Sequence, residues 1–243
     1  MNRFLKKANK RVSLGGAAAL LIAASFTAQA LGFLRIKLVN ANFSALGPDS
    51  TDAYFAAFKI PDLFFFSLAA GALGVAFIPF LSDRIQKNDR KGVWELSNSV
   101  LNLMLIAMSI VGVIIFVFAE PLIHHIVSPN LTPEQLHNAT TIMRLVAFNP
   151  LLFTVSGIFT SIQQSFGRFF FYAMAPVIYN TSIIVSIFVF KDSLGLIGLG
   201  VGALIGAILQ LGISLFGFFG LKYKYKPTIK WSNKDFLQIL RNL

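Results

Sequence analysis

Six long apolar segments constrain this chain more than any other feature of its sequence. They cover about residues 13–43, 53–81, 97–119, 139–165, 172–190 and 195–221. A helix needs about 20 mainly apolar residues to cross the hydrocarbon core of a bilayer, and each segment approaches that length. Because backbone polar groups inside lipid must be satisfied within the protein, we predict an all-α membrane protein with about six transmembrane helices.

The composition agrees with a membrane environment and removes several classes of function. The chain is 56% hydrophobic and only 13% charged, whereas about a quarter of the residues in a soluble domain are charged. It contains no cysteine, which excludes a disulfide framework, a thiolate metal site and a cysteine nucleophile. We therefore expect no enzymatic activity, no cofactor and no metal.

Lysine and arginine residues occur in clusters at alternate ends of the apolar segments. Clusters precede the first segment and follow the second, fourth and sixth; they contain Lys6, Lys7, Lys10 and Arg11, then Arg84, Lys87, Arg90 and Lys91, then Arg168, then Lys222, Lys224, Lys226, Lys230 and Lys234. The connections at 43–50 and 120–138 have no lysine or arginine, and Lys191 is offset by Asp192. Positive loops stay in the cytoplasm, so we place both termini there. Because the basic residues lie in short clusters between apolar segments, we do not interpret the net charge of +11 as evidence of a nucleic-acid-binding surface.

This pattern divides the chain into three parts. Residues 1–12 form a basic cytoplasmic amino terminus, 13–221 a six-helix transmembrane lobe, and 222–243 a basic cytoplasmic segment. Ala28-Gln29-Ala30 imitates a signal-peptidase site. Cleavage there would strand the mostly apolar residues 31–43 outside the membrane, so we expect the first helix to remain uncut.

Polar residues inside the first two segments are the candidate site. A charge at the centre of a spanning helix costs about 2.5–3.5 kcal/mol on insertion scales and usually faces a cavity or a partner. Helical spacing places Asp52, Lys59 and Asp62 on one stripe and Arg35 with Asn42 on another; Gln29 lies nearby, while Lys37 points away from Arg35. Two interpretations remain open: a hydrated cationic cavity for an anionic headgroup, or pairs such as Lys59–Asp62 that neutralise each other.

Two weaker patterns complete the set. Gly198, Gly202 and Gly206 recur every fourth residue, which favours close packing of another helix. His124, His125 and His137 lie in the long connection at 120–138 without carboxylates at metal-site spacing, and we interpret them as solvated loop residues.

Several ordered sequence words resemble the MurJ/MviN family of lipid II flippases. They are Leu31–Arg35, Thr51–Pro61, Gly71–Ala72, Ala76–Pro79, and a later stretch from Gln164 through Gly167-Arg168-Phe169 to Ala175-Pro176 and Asn180. The resemblance implies the amino-terminal lobe of a MOP-type (MATE-like) fold in the bacterial inner membrane. It also implies that a second lobe, from the same polypeptide or a partner chain, completes the protein.

The function implied by the resemblance is movement of an undecaprenyl-linked peptidoglycan precursor, lipid II, to the outer leaflet for cell wall synthesis. It implies phosphate contact for Arg35, orientation or a gating ion pair for Asp52, and headgroup binding or charge compensation for Lys59; Gln29, Asp62 and Asn42 are further cavity-lining candidates. Membrane lipids are the other expected partners. The sequence departs from the family pattern at Gln29, Ile36, Phe65, Phe66 and Ala70, where charged residues are usual. Alternatives are therefore another MOP-type exporter, for a lipid-linked oligosaccharide or a drug, or a non-transporting scaffold for cell wall enzymes.

Overall fold

All secondary structure that the computed structural model describes is helical, and the model describes residues 8–70, 77–221 and 223–241. The α-helices are α1 (Leu14–Asn42), α2 (Thr51–Phe64), α3 (Ile78–Gln86), α4 (Arg90–Val117), α5 (Ala119–Leu122), α6 (Pro133–Val146), α7 (Asn149–Ser165), α8 (Phe170–Leu194), α9 (Ile197–Phe216) and α10 (Lys234–Arg241). Two π-helical segments, Phe65–Ala70 and Ile123–Val127, continue α2 and α5.

Five membrane passes are long and apolar enough to cross a bilayer in the described part of the chain. They are Gly15–Asn42, Arg90–Val117, Pro133–Ser165, Phe170–Leu194 and Ile197–Phe216, which correspond to five of the six predicted segments. The remaining predicted segment, 53–81, contains α2, its π-helical continuation and the start of α3, and residues 71–76 lie outside the described residues. Together with the structural comparisons given below, these helices make the chain a multi-pass membrane protein.

The predicted fourth span, 139–165, is two helices rather than one, and the connection before it is mostly helical. Pro150 stands near the start of α7, where its ring cannot follow a continuous helix, so α6 and α7 meet at Phe148. The expected loop at 120–138 is wrong in detail, because a Thr132–Gln135 capping box starts α6 there. His124, His125 and His137 are solvent-exposed, as expected, but they lie on helical turns.

Close packing of α8 against α9 is confirmed at the three regularly spaced glycines. A Cβ on Gly198 would meet Phe190, one on Gly202 would meet Ser186, and one on Gly206 would lie 3.0 Å from the Tyr179 ring. All three contacts fall on α8. The small residues therefore let two apolar helices approach closely, which is how helices associate where lipid removes the hydrophobic driving force.

The charge-poor connections meet at one end of the bundle and the basic ones at the other. At the first end, Asn138 Nδ2 donates to Pro48 O at 3.0 Å and Gln135 Nε2 to Gly47 O at 2.9 Å. At the other end, Val12 N donates to Gly167 O at 3.1 Å and Arg84 pairs with Asp235 at 2.6 Å. The start of α2 and the end of α3 therefore lie at opposite ends of the bundle, as the predicted second span requires.

The basic segment after α9 packs against the first half of α4, and residues 223–230 of this segment are here called the strap. Asn98 and Asn102 are 2% and 7% exposed, and both bind the backbone of the non-helical residues 223–230. Asn102 Nδ2 donates to Lys226 O at 2.8 Å and Thr228 O at 3.0 Å, and Asn102 Oδ1 accepts from the Tyr225 hydroxyl at 2.7 Å. Burial raises the pKa of Tyr223 to about 12, so its hydroxyl stays protonated and donates to Asn98.

We expect Asn102→Ala to release this strap. The change removes three hydrogen bonds, and a buried group left without its partner costs about 1–3 kcal/mol. Hydrogen exchange at residues 225–230 should therefore quicken by about tenfold or more. Gln135→Ala, which removes an amide contact to Gly47 O at the other end, is the matched control and should leave exchange in the strap unchanged. Equal exchange in both variants would show that the asparagine contacts do not hold the strap.

Candidate functional site

A cavity of about 400 Å³ opens between α1, α2, α7, α8 and α9. Its walls are mainly aromatic, and Arg35 and Asp62 supply its charges. The lining residues are Arg35, Tyr54, Phe55, Phe58, Asp62, Phe65, Phe66, Phe153, Pro176, Tyr179 and Gln210. The volume falls within the usual range of about 300–1,000 Å³ for small-ligand pockets.

Arg35 reaches the cavity from α1, which lies against α8. Asn180 Nδ2 of α8 donates to Pro176 O at 3.0 Å and to Ala28 O of α1 at 3.4 Å, and this contact sets the position of α1 beside the cavity. The Arg35 side chain is half-buried. It makes no hydrogen bond to any described residue, so its guanidinium is available to a ligand.

Asp62 lines the same cavity from α2, where Pro61 interrupts the helical hydrogen bonding. No salt bridge joins Asp62 to Arg35 or to Lys59 among the described residues. The proposed neutralising Lys59–Asp62 pair is therefore not formed, although the two residues are one turn apart. Arg35 and Asp62 instead present opposite charges to one shared space.

Aromatic rings pack against one another in two groups along the cavity walls. The Phe153 ring packs edge-on against Tyr179 at 5.0 Å and against Phe65 at 5.5 Å, and the Tyr54 and Phe58 rings are 4.9 Å apart. Offset and edge-on ring pairs are the favoured arrangements. Sequence reasoning missed Tyr54, Phe153 and Tyr179, because an aromatic residue in an apolar segment has no signal that distinguishes a cavity wall from lipid contact.

Asp52 and Lys59 lie on α2 outside the residues that line the cavity. Both side chains are solvent-exposed in the chain as described, and neither forms a salt bridge or hydrogen bond with another described residue. A face carrying two unpaired charges is expensive in lipid. This side of α2 is therefore suited to water or to more protein. Asp52 and Lys59 are each one helical turn from Phe55, which lines the cavity.

The other candidates are distributed over the lobe. Asn42 lies at the end of the bundle where the charge-poor connections meet. It accepts a hydrogen bond from Lys191 Nζ at 2.9 Å. Among the described residues, Lys191 forms no salt bridge with Asp192. Gln29 is exposed on α1 and is absent from the cavity wall. The helical stripe joining Arg35 to Asn42 therefore does not correspond to one site.

Among the positions that depart from the family pattern, Phe65 and Phe66 line the cavity directly. Ile36 is 43% exposed on α1, next to Arg35 but outside the wall. Ala70 is at the end of the π-helical segment, and its side chain lies outside the described residues. Aromatic replacements at 65 and 66 make this cavity more apolar. Within the described residues, no group of three His, Asp or Glu side chains could hold a metal.

Comparison with known sequences gives a consistent set of relatives. The family model described as lipid II flippase MurJ matches residues 44–243. The probable lipid II flippase MurJ of Borreliella burgdorferi is 27% identical over 221 residues, which cover 91% of this chain and 43% of that protein. The corresponding protein of Buchnera aphidicola subsp. Baizongia pistaciae is 33% identical over 167 residues, or 67% of this chain and 32% of the relative.

Solved structures give the same fold. A lipid II flippase MurJ in an inward closed conformation superposes with a TM-score of 0.71 at 26% identity, covering 92% of this chain and 46% of that chain. An outward-facing MATE-family transporter of the MOP superfamily gives a TM-score of 0.71 at 18% identity, covering 99% and 53%, which shows the fold alone. The chain therefore spans less than half the length of the curated relatives described here.

Proposed function

The chain belongs to the lipid II flippase MurJ family, and from that premise we propose that it forms the amino-terminal lobe of a flippase. The cargo would be an undecaprenyl-linked peptidoglycan precursor, moved from the inner to the outer leaflet of the bacterial inner membrane. Such movement needs binding and a change of access but no covalent chemistry, so we propose a transporter and not an enzyme.

The observation that carries this proposal is the Arg35 guanidinium in an aromatic cavity. Arg35 has no hydrogen-bonding partner among the described residues, and guanidinium matches the geometry of phosphate oxygens. Aromatic faces such as Tyr54 and Tyr179 suit the apolar faces of sugar rings. We propose that Arg35 contacts the pyrophosphate and that the aromatic wall holds the part of the headgroup next to it.

The charged face of α2 supports the need for a second lobe. Asp52 and Lys59 are exposed beside the cavity, and charges of this kind face water or protein in membrane proteins. A cavity of about 400 Å³ also lies near the lower limit for ligand sites. We propose that a second lobe faces α2 and completes the site, with Lys59 contacting the headgroup or compensating charge and Asp52 orienting or gating.

The membrane potential would supply part of the driving force. The headgroup is anionic and the cell interior is negative. Outward movement is therefore favoured by about 2.3 kcal/mol for each charge per 100 mV, and collapse of the potential should slow transport.

The direct test is rescue of a bacterium whose own lipid II flippase is depleted. We expect the complete native protein to restore growth and to restore labelling of lipid II by an impermeant reagent at the outer face. An unrelated multi-pass protein at equal abundance serves as the control. Failure of rescue with normal membrane insertion would contradict the proposed cargo.

A second candidate, a MOP-type exporter of aromatic or cationic compounds, is favoured by one observation. Phe65 and Phe66 line the cavity beside Asp62, and aromatic faces together with a carboxylate attract cations. Under this alternative the protein would lower cellular accumulation of ethidium and would fail to rescue flippase depletion. Rescue without any change in ethidium accumulation would favour lipid II.

A further inference from the structure

A second cavity, of about 430 Å³, lies at the basic end of the bundle and shares no lining residue with the first cavity. It is enclosed by the segment before α1, the turn between α3 and α4, the turn between α7 and α8, and the residues after α9. The lining residues are Asn9, Arg11, Ile85, Asn88, Arg90, Phe166, Arg168, Gly220 and Leu221. Three of them are arginine and none is acidic.

Arg168 is built into this cavity by its own hydrogen bonds. Its Nη1 donates to Asn9 Oδ1 at 3.0 Å, Gly217 O at 2.9 Å and Phe219 O at 2.8 Å. Its Nη2 makes no hydrogen bond to a described residue and would lie 3.9 Å from a Cβ on Gly220, a lining residue. One nitrogen thus fixes the side chain while another is presented to the cavity.

Arg11 is held in place by the turn that carries Arg168. Gly167 has φ +75, and a Cβ there would lie 2.9 Å from Arg11 Cγ, so the absence of a side chain at Gly167 lets Arg11 cross the turn. The backbone N–H of Val12 donates to Gly167 O at 3.1 Å. Neither Arg11 nor Arg90 has a side-chain hydrogen bond or salt bridge among the described residues.

The acidic residues of α3 and of the turn that follows it, Asp83 and Asp89, pair with other cations. Asp89 accepts from Arg84 at 3.2 Å and from the Gly92 amide at 2.8 Å. Asp83 pairs with Lys87 at 2.7 Å. The positive charge around the cavity is therefore not neutralised by the turn that contributes Arg90.

We propose that this cavity binds a phosphate-bearing anion. Guanidinium groups bind phosphate oxygens with paired, charge-assisted hydrogen bonds, and three around one concave site would otherwise repel one another. The floor formed by Ile85, Phe166 and Leu221 is apolar. Basic pockets at the ends of spanning helices can hold anionic lipid headgroups, and a soluble phosphate compound offers the same chemistry. The site is independent of the flippase cavity and of the proposed cargo.

The test uses native mass spectrometry of the complete protein in neutral detergent. The probes are dioctanoyl phosphatidylglycerol, for a lipid source, and inorganic pyrophosphate, for a soluble source. The variant Arg11→Gln/Arg90→Gln removes two cavity cations whose side chains have no hydrogen bond or salt bridge among the described residues. The variant Lys10→Gln/Lys91→Gln removes the same charge from the adjacent exposed residues, which do not line the cavity.

We expect the arginine pair variant to bind the preferred probe about tenfold more weakly and the lysine pair variant to change binding by less than about threefold. Phosphatidylglycerol binding with this dependence would identify a lipid headgroup, and pyrophosphate binding with the same dependence would identify a soluble phosphate ligand. The proposal is overturned if neither probe binds, or if both pair variants weaken binding equally. Rescue of flippase depletion is not part of this readout, so failure here is distinguishable from failure of the proposed transport.

Discussion

Arg35→Ala should reduce flipping by the complete protein about 10- to 100-fold, the effect expected from losing hydrogen bonds to a charged group. The substitution removes the cation that lines the cavity and leaves Asp62 facing the same space. An anionic headgroup would then meet net negative charge instead of a guanidinium. The measurement is outer-face labelling of lipid II in the depleted strain at matched protein abundance.

Lys37→Ala is the matched control for this experiment. Lys37 is on the same helix two residues later, is exposed and does not line the cavity. Its loss should change flipping by less than about twofold, because exposed charges contribute little. Arg35→Lys should recover part of the activity, since an ammonium keeps the charge without the paired geometry. Normal flipping by Arg35→Ala would show that the guanidinium does not contact the cargo.

Gly202→Ala should destabilise the lobe by about 1–3 kcal/mol, the usual cost of overpacking. A Cβ at this position would overlap Ser186 Oγ and Cβ on α8, and the α8–α9 contact holds two apolar passes together. We expect the melting temperature in detergent to fall by about 2–12 °C, measured by loss of the monodisperse peak after heating.

Gly212→Ala, on the same helix, is the control for this substitution. Nothing lies within 4 Å of a Cβ there, so the variant should be neutral or more stable by about 0.5–1 kcal/mol through helix propensity. Adding Ser186→Gly to Gly202→Ala removes the overlapping atoms and should recover part of the loss. Equal melting of Gly202→Ala and Gly212→Ala would contradict the close-packing account.

The resemblance to one family is confirmed by the family match over residues 44–243, which includes Thr51–Pro61, and the fold class is confirmed by the helical lobe and its structural relatives. The individual roles of Arg35, Asp52 and Lys59 stay predictions. The sequence positions of the charged residues predicted that the first two segments would supply the candidate site, and Arg35 and Asp62 do line one cavity. It did not predict that Lys59, one turn from Asp62, would lie outside the cavity wall.

Composition and periodicity along the chain determined the five apolar passes that the structure describes, which connections share an end of the bundle, and where two helices approach closely at Gly198, Gly202 and Gly206. These are properties of single helices and their ends, since length, charge and spacing act locally. The tertiary structure alone decided which face of each helix meets its neighbours. The rotation of each helix about its axis results from packing over the whole lobe. It places Phe153, Tyr179 and Arg35 around one cavity, Asn42 beside Lys191, and Arg11 and Arg168 around the second cavity.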